Sequence, residues 1–173
     1  MGQLELKTYP DPCLRIRTKT VEKFNSDIAE TLRAMASLMH ESHGIGLAAT
    51  QVGLGLSILV IDPGDGLINM INPEILDRSK EKTYLEEGCL SLPGLTVNVK
   101  RSKTVKIRAC DENGNFFVKT FDDLGAKAVQ HEMDHLKGIL IMDYLNPIMR
   151  FVAGRKIISG RNAKKTCEVT CNE

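Results

Sequence analysis

The stretch V-Q-H-E-M-D-H-L-K-G-I-L-I, Val129 to Ile141, decides how this chain is read. It contains H-E-x-x-H as His131, Glu132 and His135. On a helix, residues four apart share a face, so both imidazoles can reach one metal ion. Glu132 follows the first of them, where a carboxylate can take a proton from metal-bound water. A catalytic ion of the zinc type has three protein ligands plus water. The extended pattern H-E-x-x-H-x-x-G-x-x-H would supply the third. Gly138 fits that pattern, but Ile141 stands where the last His belongs, and the next Glu is Glu168. The chain is therefore not a protease of that class, and its third ligand has to come from upstream.

Working outward, 173 residues make one domain with room for a core. Apolar content of 42% and charged content of 26% place it among ordinary globular chains. A net charge of +1 offers no bulk electrostatic case for nucleic acid or a membrane surface. No apolar run approaches membrane-spanning length. Neither a signal peptide nor a transit sequence is evident, and Met1-Gly2 lacks the Ser or Thr at position 6 that myristoylation needs, since Leu6 is there. The five Cys then read as reduced thiols in a bacterial-type cytosol.

Along the chain, residues 4–23 carry Y-P-D-P and read as an extended arm, with Pro10 and Pro12 excluding a helix. Asn25 or Ser26 caps a helix whose stripe is Ile28, Leu32, Met35 and Met39, with Gly44 as its stop. His40 and His43, in its last turn, read as capping or surface residues rather than ligands. In H-G-I-G-L-A-A-T-Q-V-G, His43 to Gly53, the Gly residues do not make a phosphate loop; Gly44 and Gly46 keep side chains away from something close. Gln51 reads either as a satisfied core amide or as a site residue. Strands are expected over 56–61, 68–76 with an interruption at Pro73, 80–87, 97–99, 103–110 and 116–121. Asp122 or Asp123 caps the helix of His131 and His135, and a last helix spans 147–158. The pattern predicts an α+β fold: antiparallel sheets packed around a central metal-binding helix, with an N-terminal and a C-terminal helix. One catalytic domain is expected over 1–160 and a polar tail over 161–173.

The upstream candidates for the third ligand are Cys13, Cys89, Cys110, His40 and His43. Cys110 closes a strand and reads as core; Cys13 follows the P-D-P turn. Cys89 stands apart in E-E-G-C-L-S-L-P-G, Glu86 to Gly94, at a strand end that can meet a helix packed across the sheet. With G-I-G-L-A-A-T-Q-V-G, E-G-C-L-S-L-P and Q-H-E-M-D-H-L-x-G in this order, the chain resembles the peptide deformylase family over roughly residues 4–150. Tyr9 to Arg15, Y-P-D-P-x-L-R, is similar to the family's N-terminus as well.

The resemblance implies a hydrolase that removes the formyl group from the N-terminal formyl-methionine of new proteins. It implies metal ligands at Cys89, His131 and His135 and the ion Fe2+, with Zn2+, Ni2+ or Co2+ as substitutes. Glu132 would be the general base and acid, and Gln51 with the Leu90 N–H would hold the oxyanion. The substrate would lie as a strand along Gly44–Leu47 and Gly88–Leu90. The residues expected around it are Gly44, Ile45, Gly46, Glu87, Gly88, Leu124, Lys127 and Ala128. Leu124 lies between the two His on the helical wheel and Lys127 about 40° to the other side of His131. The stem of Lys127 is expected at the pocket rim, with its ammonium snorkelling outward, or else simply in water. Family members commonly carry an apolar residue there. The terminal helix is shorter and less basic than in members that dock it on the ribosome, which leaves the ribosome an open partner. Cys167 and Cys171 have no family counterpart. A metallopeptidase of another specificity is the alternative.

Overall fold

The computed structural model describes residues 4–170, with side chains described through residue 160. Cys171 therefore falls outside the described residues, and the side chain of Cys167 outside the described side chains. Helices α1 (Ser26–Glu41), α2 (Asp123–His135) and α3 (Pro147–Thr170) combine with seven strands. These are β1 (Gly46–Ala48), β2 (Ile58–Ile61), β3 (Ile68–Arg78), β4 (Lys82–Gly88), β5 (Thr96–Ser102), β6 (Thr104–Cys110) and β7 (Phe116–Asp122). One sheet has the order β1-β2-β3-β6-β7, and β4 pairs with β5 in a second; all pairings are antiparallel. The α+β class expected from the sequence is the fold observed.

Strand β2 shows why the run I-L-V-I is apolar at every position. Leu59 and Ile61 pack with Val129 and Met133 of α2. Ile58 and Val60 pack with Leu32, Met35 and Met39 of α1 on the opposite face. A strand covered on both faces has no place for an alternating polar residue. A third cluster joins Leu14, Leu92, Val97, Val99, Leu140 and Ile157, and seats the β4–β5 sheet. Gln130 ties α2 to that sheet: its amide accepts from the Ser102 N–H at 3.1 Å and donates to the Ser102 carbonyl at 2.9 Å.

Several local expectations differ from the structure. Pro12 does not prevent a short 3-10 turn over Pro12–Arg15, because it opens the turn, where no N–H is needed, and the Asp11 carboxylate accepts from the Cys13 amide. Helix α1 is capped by Asn25 as expected, but the left-handed residue after it is His43, with φ 55°, rather than Gly44. Strand β1 was not legible among the glycines. Strand β3 runs through Pro73 to Arg78, and its pairing with β6 slips between Ile71 and Glu74. A proline without an N–H is accommodated there by an irregularity rather than a break. Asp122 precedes α2 but makes no capping bond; Thr104 Oγ1 donates to its carboxylate at 2.5 Å instead. Helix α3 continues to Thr170, since a single glycine such as Gly160 costs a helix interior only about 1 kcal/mol.

Gly138 ends the metal-helix segment in the left-handed region, at φ 74°. A Cβ on it would sit 2.5 Å from the Arg15 carbonyl oxygen. The glycine therefore serves the docking of the N-terminal turn, and the expected third-His position is a buried Ile141. Gly138→Ala is expected to destabilise the protein by at least ~1–2 kcal/mol from the left-handed backbone alone, with more from the clash, measured by thermal denaturation.

Candidate active site

Helix geometry sets the first two donors. His131 and His135 are one turn apart on α2, with ring centroids 4.9 Å apart and planes at 71°. Cys89 follows Gly88, the last residue of β4. The donor atoms of Cys89, His131 and His135 lie within 4.8 Å of one another, and Cys89 Sγ is 3.2 Å from His135 Nε2. Cys13, Cys110, His40 and His43 do not join them. Cys13 donates its thiol to the Thr50 carbonyl at 3.4 Å, and burial pushes that thiol up to about 12. Cys110 lies in the α1 core, and His40 pairs with Asp62 at 3.1 Å.

Of the two imidazoles, His131 is held from behind, whereas His135 Nδ1 is buried without a hydrogen-bond partner. The Glu87 carboxylate sits 2.9 Å from His131 Nδ1, which fixes the ring and leaves its other nitrogen for a ligand. Arg101 grips the same carboxylate, at 2.8 Å from Nε and 3.0 Å from its second nitrogen, and also holds Asp134 at 2.6 Å. Tyr144 donates to Asp134 at 2.7 Å. Burial opposes ionisation of Glu87, but the bonds from Arg101 and His131 outweigh it and hold its carboxyl down at about 2. Burial also opposes a charge on His131, yet the Cys89 sulfur and the Glu87 carboxylate push it up to about 10. His135, buried and facing His131, is held well below the usual imidazole range. Surroundings that draw positive charge onto a buried imidazole also favour a cation. One thiol and two imidazoles, with no fourth protein donor among the described residues, fit a divalent transition-metal ion with an open position.

Glu132 is buried, and its Oε2 has no hydrogen-bond partner. Burial pushes its carboxyl up to about 7. Gly46 permits its position: a Cβ there would overlap the carboxylate and come within 2.9 Å of the Glu132 Cγ. The orientation of the Gln51 amide follows from its neighbours. Its oxygen accepts from the Ala48 N–H at 2.8 Å, so its NH2 is the end that faces Ser91 Oγ at 3.3 Å and Cys89 Sγ at 3.7 Å.

These groups border a cleft of about 420 Å³ whose lining includes Gly44, Ile45, Gly46, Gly88, Leu90 and Ala128. Two of the residues expected there are placed elsewhere. Glu87 is fully buried behind His131, since Arg101 draws its carboxylate inward. Leu124, in the first turn of α2, is 44% exposed and outside the cleft lining. Lys127 lines the cleft, and its ammonium donates to the Glu86 carbonyl at 2.6 Å at the exposed rim. Arg101, Asp134, Tyr144 and Ser91 were missed. Arg101 had a signal: Val97, Val99 and Arg101 alternate on the buried face of β5, so a charge there demands a buried partner.

The model of the polypeptide deformylase family matches residues 3–151. A peptide deformylase of Thermotoga petrophila is 39% identical over 153 residues, which is 88% of this chain and 93% of that protein. A crystal structure of a peptide deformylase from Legionella pneumophila superposes with a TM-score of 0.89 at 35% identity, covering 95% of this chain and 98% of the other. The Ehrlichia chaffeensis peptide deformylase in complex with actinonin also gives a TM-score of 0.89, at 35% identity, over 92% and 98% of the two chains.

Arg101→Met would leave Glu87 buried with only His131 against it, and the expected loss is about 3–5 kcal/mol of stability by denaturant unfolding. The double change Arg101→Met with Glu87→Leu is expected to recover most of that loss. It should still bind metal about 10–100-fold more weakly, because nothing then orients the His131 ring.

Proposed function

The chain belongs to the peptide deformylase family, and from that premise we propose how its own residues release formate from the formyl-methionine that begins a new polypeptide. It is a metal-dependent amide hydrolase, and the observation that supports the assignment of roles is the convergence of three donors within 4.8 Å beside Glu132, whose buried Oε2 has no partner. Cys89, His131 and His135 would hold the ion. When bound, it supplies a Lewis acid and a water nucleophile usable at neutral pH, with the pKa of water lowered from 15.7 to about 7. The mixed sulfur and nitrogen set suits the later first-row divalent ions, and among these Fe2+ is proposed, with Zn2+, Ni2+ or Co2+ as substitutes.

The formylated N-terminus enters between two free strand edges. Among the described residues, strand β1 pairs only with β2, and β4 only with β5. A peptide strand can bond to both edges, near Gly44–Gly46 and Gly88, and carry the formyl carbon toward Glu132. Its methionine side chain would lie against Ala128 and the stem of Lys127. Glu132 accepts the proton of the attacking water and delivers it to the departing amine. The Gln51 NH2 and the Leu90 N–H receive the oxyanion, where loss of one donor typically costs about 2.7–4 kcal/mol. The same reading places the enzyme in a bacterial-type cytosol, near the ribosomal exit where nascent chains appear.

The test is formate release from a formyl-Met peptide by anaerobically purified protein of measured metal content, alongside an unformylated peptide. Activity that disappears on chelation, returns with Fe2+ and leaves the unformylated peptide intact is the expected result. Glu132→Gln should keep the metal and lose about 10²–10⁴-fold in turnover. Cys89→Ser should lose most of the metal, since a hydroxyl is a far poorer ligand. Metal loss in Glu132→Gln, or unchanged metal in Cys89→Ser, would overturn the assigned roles.

Lys127 is proposed to tune the substrate beyond its methionine. Its ammonium can leave the Glu86 carbonyl for a nearby substrate carboxylate, favouring acidic residues just after the methionine by no more than ~1 kcal/mol in kcat/KM. The preference should shrink with salt and vanish in Lys127→Ile. Identical profiles in both enzymes would leave Lys127 as a rim lysine only.

A further inference from the structure

A second hollow, of about 620 Å³, opens beside the cleft. It lies between residues 93–96 and one face of α3, and its walls include Leu95, Leu145, Met149, Val152 and Ile157. Val152 is 58% exposed and Met149 56%, and Ile148 beside them is 78% exposed. Contiguous apolar surface of this kind marks an interaction site more often than a bare exterior.

The two hollows share a wall. Gly94, Leu95 and Thr96 line both. The crest between them is firm: the Leu92 N–H donates to the Cys89 carbonyl at 2.9 Å and the Leu95 N–H to the Leu92 carbonyl at 3.1 Å. Leu92 itself is fully buried in the third core cluster. The wall of the second hollow is thus tied, through a short turn, to a proposed metal ligand.

A polypeptide held by its N-terminus must send the rest of its chain out of the cleft. An extended chain advances about 3.3 Å per residue, so a few residues suffice to cross the crest at Gly94–Thr96. Beyond it the chain meets an apolar groove. A polypeptide still being made is unfolded and presents apolar side chains freely.

We infer that the groove between residues 93–96 and α3 is an exosite for apolar side chains of the substrate several residues beyond its N-terminal methionine. This rests on the deformylase reading of the cleft. The groove holds the downstream segment and leaves the reacting groups untouched, so it acts on KM and not on kcat. Substrates too short to reach it gain nothing.

The experiment uses metal-loaded enzyme, a short formyl-Met-Ala peptide, and long formyl-Met peptides of Gly and Ser in which a Leu-Leu pair is moved stepwise along the chain. At positions that reach the groove, KM is expected to fall about ten-fold, the effect of one partly buried leucine. Met149→Glu and Val152→Glu should each abolish that gain while turning over formyl-Met-Ala like the parent, which also shows that they are folded. A flat profile in the parent, or a leucine gain retained in both variants, overturns the exosite while the deformylase reading stands. Self-association or ribosome pelleting that the variants abolish, together with a flat profile, gives the groove to those occupants and overturns it too. If formyl-Met-Ala is not turned over at all, the deformylase reading fails and the exosite falls with it.

Discussion

The Glu87 carboxylate is the joint on which the site depends. It is fully buried, bonded by Arg101 through two nitrogens at 2.8 and 3.0 Å, and set 2.9 Å from His131 Nδ1. Three elements meet there: β4 brings Glu87, β5 brings Arg101 and α2 brings His131. Because Cys89 follows β4 by one residue, whatever positions Glu87 also positions the thiol relative to the two imidazoles. Two ionised groups out of water are tolerated only while each has the other, and a displacement of β4 against α2 would strand both. A well-packed apolar pair could equal the network in stability. It could not aim the His131 ring, and that orientation is what the buried charges provide.

Around that joint the chain places regular structure on every side of the cleft and leaves the cleft itself irregular. The five-stranded sheet is held by α1 on one face and α2 on the other, so β1 at its edge is anchored along its length. Strand β4 is an edge of the second sheet, seated by the Leu14, Val97 and Ile141 cluster. Unpaired edges invite association with other chains. Here the cleft lies between them, and Lys127 covers one of the acceptors, the Glu86 carbonyl. The same arrangement lets β1 pass close to α2 only at a glycine, Gly46, which leaves the Glu132 carboxylate buried and without a partner at Oε2.

A buried carboxylate, a thiol and two imidazoles in one small volume would be a costly defect without a cation to balance them. The structure spends stability at this one place and recovers it in the apolar clusters on both faces of β2. That balance is the usual signature of a site kept for chemistry rather than for packing.

The sequence by itself determined whatever repeats within a few consecutive residues. The spacing of His131 and His135, the stripe of Ile28, Leu32, Met35 and Met39, the buried run of β2 and the hairpin before Phe116 all follow from helix and strand periods written in contiguous chain. Cys89 was legible as a thiol at a strand end, and the inward charge of Arg101 could have been read from its alternation with Val97 and Val99. Partners were not legible. Nothing local says that Glu87 turns away from the cleft toward Arg101, that Ser91 faces the Gln51 amide, that Asp122 spends its carboxylate on Thr104, or that Lys127 reaches Glu86. Those choices depend on the register of β4 with β5 and on how α2 lies across both sheets. Such contacts join residues far apart in the chain, and only the packed tertiary structure brings them within bonding distance.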